Sequence, residues 1–254
     1  MLRNKTIKME EKKMNIMNKW AVLALVCLLS LFTTFSQLVS AEEPITSEGT
    51  SKATIEFIPG DSVPPIVDPE DPSKPFDPDN PENPTDPPTG NTGPLTLDYV
   101  SSVHFGKQEI QGQTMIYEST LLRPFIQISD RRGTGAGWTV TAQASEFKTD
   151  GVTEATLPGS VLYFKNGVAD SACNSEPPIP NQIVKLPAGG EEAVVITAQE
   201  NTGLGTWVNR WFPSLNRENM ELNDNVVLEI PGGTATTGVH EATITWTLTD
   251  GPGQ

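Results

Sequence analysis

A chain of 254 residues with a formal charge of −15 at pH 7, 22 prolines and only two cysteines is long enough for one or two hydrophobic cores. Its acidity excludes the usual nucleic-acid binder, because backbone phosphates call for clusters of Lys and Arg. So few cysteines exclude a small secreted scaffold stapled by disulfides.

The first 41 residues read as a secretory leader. Arg3, Lys5, Lys8, Lys12, Lys13 and Lys19 precede an apolar run from Ala21 to Phe32, then a polar stretch and Val39-Ser40-Ala41. This is the order of a signal peptide with a small residue at the cut. Twelve apolar residues span ~18 Å as a helix, too short for a hydrocarbon core of ~30 Å. Met14 or Met17 are alternative starts. Removing residues 1–41 takes away six basic and two acidic residues and leaves a formal charge of −19. The exported chain is therefore not expected to span a membrane, and it retains Cys173 alone, Cys27 leaving with the leader.

Residues 42–58 are mixed polar and end in Ala53-Thr54-Ile55-Glu56-Phe57-Ile58, one short alternating strand. From Pro59 to Pro94 a dozen prolines alternate with carboxylates and a single cation, Lys74. Fixed φ angles and like-charge repulsion predict a disordered, extended and solvated linker over residues 59–94. No loop in it has the spacing of a calcium site.

Residues 95–254 read as one all-β domain, an antiparallel β-sandwich or Greek-key barrel. Short alternating runs rich in Val, Ile, Thr and aromatics recur at Leu95–Phe105, Thr114–Glu118, Pro124–Ser129, Trp138–Gln143, Leu157–Phe164, Ile183–Leu186, Ala193–Ala198, Val226–Ile230 and Ala242–Thr249, separated by Gly, Pro and Asn turns. In the last of these, Ile244, Trp246 and Leu248 share one face and Thr243, Thr245, Thr247 and Thr249 the other. Trp138, Val140 and Ala142 repeat the pattern, opposed by Thr139 and Thr141. Such spacing predicts that both indoles face a core and both threonine rows face out.

These two Trp strands carry a resemblance. The chain is similar to WxL-domain surface proteins of low-GC Gram-positive bacteria, whose distal motif reads Tyr-x-x-x-(Leu/Ile/Val)-Thr-Trp-x-Leu-x-x-x-Pro. Ile244, Thr245, Trp246, Leu248 and Pro252 fit that motif position by position, with His240 where the family has Tyr. The proximal motif fits at Trp138 but has Val140 in place of Leu. Leu97-Asp98-Tyr99-Val100 and Gly203-Leu204-Gly205-Thr206-Trp207 also look familial. The resemblance implies non-covalent attachment to the cell wall, with peptidoglycan or another wall polymer as ligand and other WxL-locus proteins as partners. It implies a secreted protein held at the cell surface. An LPxTG sorting motif is not found; Leu157-Pro158-Gly159-Ser160 is read as a turn.

Two further clusters are candidate binding residues. Trp207, Arg210 and Trp211 break the strand alternation after a Gly-rich stretch, a pattern suited either to an exposed sugar-stacking platform or to a lid folded over the end of the sandwich. Arg131 and Arg132 precede Gly133 in a turn and are placed to meet carboxylates or wall phosphates. No HExxH, GxSxG, P-loop or paired CxxC occurs, and His104 and His240 are far apart in sequence. The expectation is a non-catalytic binding module with no cofactor, no metal and no nucleic-acid partner; the alternative is a surface module that assembles with other proteins through sheet edges.

Overall fold

The computed structural model describes residues 47–213 and 221–252. The expected leader lies outside them. Residues 47–55 belong to an N-terminal unit and are exposed without regular structure. The second unit starts at Glu56 and holds every strand.

No helix occurs among the described residues, and twelve strands form three antiparallel sheets. The first sheet runs β1 (Leu95–Val100), β3 (Phe125–Asp130), β10 (Gly205–Arg210) and β6 (Val168–Asp170). The second runs β2 (Met115–Ser119), β11 (Asn223–Ile230), β5 (Val161–Lys165) and β8 (Ile183–Pro187). The third runs β12 (Ile244–Asp250), β4 (Trp138–Ala144), β9 (Ala193–Ala198) and β7 (Ile179–Pro180). The all-β antiparallel expectation holds.

One core joins the inward faces of the three sheets. It includes Ile126, Ile128, Trp138, Val140, Phe164, Leu186, Ile196, Trp211 and Leu228, all buried. Trp138 sits at 0% exposure and its indole N–H donates to the Gly203 carbonyl at 3.0 Å. Gly203 has φ of +68°, and a Cβ there would lie 3.0 Å from that indole and 2.6 Å from the Ala198 methyl. Only glycine combines that backbone angle with that closeness. The familial-looking Gly203-Leu204-Gly205 stretch is thus the seat of the first motif tryptophan.

A bulge divides β1 between two cores. Leu97 pairs with Ile128, yet Tyr99 pairs with Gln127, so Asp98 is the extra residue. Leu97 therefore joins the central core while Tyr99 turns to the outer face, where it packs with Phe125 and Val208.

That outer face corrects the expectation for residues 59–94. The Pro/Asp-rich segment is not a solvated spacer over its central part, because it lies on the first sheet. Ile66, Val67 and Phe76 pack on Tyr99, Phe125 and Val208. The Phe76 ring stands 5.8 Å from that of Tyr99 and 5.9 Å from that of Phe125. Asn83 and Pro84 are buried. Rather than repelling one another into an extended chain, the carboxylates accept backbone N–H bonds in successive tight turns: Asp68 from Glu70 and Asp71, Asp71 from Ser73, Asp77 from Asp79. Prolines shorten the list of unfolded conformations, so ordering this strap costs less entropy than ordering a flexible chain. Its charge is met by Arg123, only 2% exposed, which donates to Asn83 Oδ1 at 2.6 Å and Asp68 Oδ1 at 2.8 Å and lies 3.5 Å from Glu70.

Candidate functional site

The two tryptophan motifs, a hundred residues apart in sequence, are neighbouring strands. β12 pairs antiparallel with β4 so that Leu248 faces Val140, Trp246 faces Ala142, and Asp250 faces Trp138. The third positions of both motifs meet in one cross-strand pair, with one tryptophan to either side. Trp138 is wholly buried, in accord with its alternation. Trp246, on the edge strand, is half-buried. Its ring contacts Phe164 edge-on at 5.6 Å and Trp211 at 5.8 Å, which closes an aromatic cluster against the core.

The opposite face of the same strands is a field of hydroxyls. Thr245, Thr247 and Thr249 are exposed on β12. They stand beside Gln143, Thr141 and Thr139 on β4, and Thr139 stands beside Thr197 on β9. Strand spacing of ~4.8 Å and a two-residue repeat of ~6.8 Å make this a flat grid. Thr141 donates to Glu192 Oε2 at 2.9 Å and Gln143 to the Gly190 carbonyl at 2.8 Å, so the β4 row is held in place. Thr139 is buried. The β12 row is the freely presented part.

The other sequence candidates are placed differently from the exposed platform. Trp207 and Arg210 lie within β10, both at 5% exposure, and Trp211 follows at 1%. The Trp207 N–H donates to the Leu204 carbonyl at 3.0 Å, and the Trp211 ring lies tilted against Phe164, 4.6 Å between centroids. A stacking platform needs an open ring face, and these faces are covered. Sequence alternation failed here because β10 is buried on both faces: Val208 lies beneath the strap, while Trp207 and Asn209 pair with the core residues Ile128 and Ile126. Arg210 lies over the Phe212 ring at 5.3 Å, 3.8 Å from Asp170, and donates to the Phe212 carbonyl.

Arg131 and Arg132 are engaged within the chain. Arg131 donates to Ser62 Oγ and to the carbonyls of Ser62 and Gly93, which fastens the strap at both ends. Arg132 grips Asp130 through two nitrogens at 2.7 and 2.9 Å, pairs with Asp250 at the end of β12, and donates to the Gly137 carbonyl. The paired carboxylates of Asp130 and Asp250 hold its guanidinium in the charged form. It thus ties the end of the distal motif strand to the start of the proximal one.

Two features escaped sequence reasoning. His240, at the position where the family has Tyr, brings together three threonines: Nε2 donates to the Thr236 carbonyl at 2.9 Å, while Nδ1 shares hydrogen bonds with the hydroxyls of Thr156 at 2.8 Å and Thr149 at 3.1 Å. Asp98 is buried on the outer face of the first sheet and accepts from Thr96, Gln127 and Ser129. Burial pushes its carboxyl above the usual carboxylate value, against the pull of those hydrogen bonds and of Arg131. Gln127 passes this network to the strap, donating to the Pro65 carbonyl and accepting from the Val67 N–H. Asp98 stood in a noted motif, but only the bulge shows which way it points.

Among the described residues no group of three or more His, Cys, Asp or Glu is placed to hold a metal ion. No helix among them is long and apolar enough to cross a membrane. The model of one protein family, WxL domain surface cell wall-binding, matches residues 45–252. No curated protein and no solved structure matches the chain.

Proposed function

The chain belongs to the WxL family of cell wall-binding surface domains, and from that premise we propose that it attaches non-covalently to peptidoglycan through the threonine face of β12, β4 and β9. The carrying observation is the division of labour within the motif strands: their tryptophans face the core, and the alternate residues of β12 present exposed hydroxyls. A flat grid of donors and acceptors suits a polymer lying across it, since sugar hydroxyls and amides exchange hydrogen bonds with threonines at little desolvation cost. Glu192 at Thr141 and the chain's acidity favour a neutral glycan or an amine-bearing peptide over a phosphate polymer. The protein acts as a secreted, non-catalytic anchor that needs no cofactor.

The exported form, residues 42–254, is expected to co-sediment with protein-free sacculi. Replacing Thr245, Thr247 and Thr249 together by Val keeps the strand shape and removes the hydroxyls. That variant is expected to lose most of the pelleted fraction with thermal stability within ~0.5 kcal/mol of the parent per site, as for surface changes. Full retention of binding by the triple variant sinks the threonine face; failure of the parent to pellet sinks peptidoglycan as the ligand.

A further inference from the structure

The sequence of residues 54–58, Thr-Ile-Glu-Phe-Ile, alternates as a strand and has strand-forming residues throughout, yet it pairs with no strand among the described residues. None of residues 53–59 makes a hydrogen bond among the described residues; the first anchored group is the Gly60 N–H, which donates to the Arg131 carbonyl. Ile55, Phe57 and Ile58 are 78%, 85% and 82% exposed. Single exposed apolar residues are ordinary, but three within four residues of a strand-forming stretch mark a contact surface.

We propose that residues 54–58 are a donor strand that adds to the free edge of β8 in a second copy of this chain. Three other edge strands suit it less well. β2 carries a carboxylate, Glu118, where Glu56 calls for a cation; β6 has three residues; and the exposed residues of β12 are threonines and Asp250. β8 complements the strand at each step. It pairs on one side with β5, and the Ala188 N–H to Ser160 carbonyl and Asn166 N–H to Gln182 carbonyl bonds fix the alternation. Val184 and Leu186 therefore spend their backbone groups on β5, and the N–H and C=O of Lys185 point to the other edge.

An antiparallel partner with Glu56 opposite Lys185 exchanges both backbone bonds there and sets a carboxylate beside an ammonium. The same register puts Ile58 opposite Ile183, itself 63% exposed, so two exposed isoleucines cover one another. On the inward side it sets Phe57 beside Val184 and Ile55 beside Leu186, two fully buried core residues. Strand addition of this kind draws affinity from the backbone and selectivity from alternate side chains. Donor and acceptor are different surfaces, so the contact is head-to-tail and builds open chains rather than a closed dimer. This reading is independent of what the threonine face binds.

Sedimentation velocity on residues 42–254 over a wide concentration range tests it. The expected result is a mass that climbs through successive multiples of the monomer. Glu56→Lys and Lys185→Glu, both at exposed positions, are each expected to return the protein to monomer, and the double variant carrying both changes to restore assembly. A monomer at every concentration overturns the proposal, as does assembly that persists in both single variants or after deletion of residues 42–58.

Discussion

The outer face of β1–β3–β10 carries Tyr99, Phe125 and Val208 and lies beneath the strap, whereas the outer face of β12–β4–β9 carries Thr245, Thr247 and Thr249 and is open to solvent. Both are the far sides of sheets that share one core. The first is apolar at its centre and becomes stable only when covered, which the chain achieves with its own Pro/Asp-rich segment. The second satisfies its polar groups with water and needs no cover. A face that water already satisfies is the one a hydrated polymer can engage, while the covered face belongs to the interior.

The largest effect expected concerns the aromatic cluster that underlies the open face. Trp211→Ala removes a ring that touches Phe164 and Trp246 from a site 1% exposed. It is expected to cost ~3–5 kcal/mol, the range for a buried large aromatic, read by chemical denaturation. Wall binding per folded molecule should be unchanged. A variant of normal stability that no longer pellets with sacculi would return Trp211 to the ligand and break the contrast between core and open face.

Next in size is the clasp of the covered face. Arg123→Met leaves Asp68, Glu70 and Asn83 without the guanidinium that they surround. Because both carboxylates are partly exposed, the loss is expected at or just below the lower end of the range for a broken buried pair, ~2–3 kcal/mol. The sharper readout is local. Amide exchange over residues 64–84 should rise more than exchange in β4 or β12. Uniform change through the chain would mean that the strap and the sheets unfold as one.

How far these faces were legible in the sequence follows from their local order. Thr245, Trp246 and Leu248 alternate without interruption, so a period of two assigned their sides correctly. Asp98 breaks the period in β1 by one inserted residue, and no pattern of residue types announces that insertion. The Pro/Asp segment misled because proline and aspartate serve both solvated spacers and chains of tight turns. The difference lies in Arg123, forty residues downstream of Asn83, and in Phe76, a lone aromatic among carboxylates. Trp207, Arg210 and Trp211 misled for another reason: a strand buried on both faces has no alternation to read. Burial of β10 depends on the strap covering one face and the central core the other, a tertiary fact.

The smallest effect is a pH dependence that belongs to the covered face alone. The Asp98 carboxyl is raised above its ordinary value of 3.8 by burial. The folded chain therefore holds its proton more tightly than the unfolded chain. Between the raised value and 3.8 the folded state binds more protons, so the Asp98 contribution to stability grows as pH falls through that window and is complete below it. Asp98→Asn lacks the titration. The melting temperature of the parent minus that of the variant should accordingly increase on acidification toward pH 3.8. Since Gln127 links Asp98 to the Pro65 carbonyl and the Val67 N–H, lifting the strap admits water to the carboxyl. The same pH series in an Arg123→Met background should then flatten. A slope that survives there would show that the sheet buries Asp98 without help from the strap, and would reduce the cover to an ornament of the apolar patch around Tyr99.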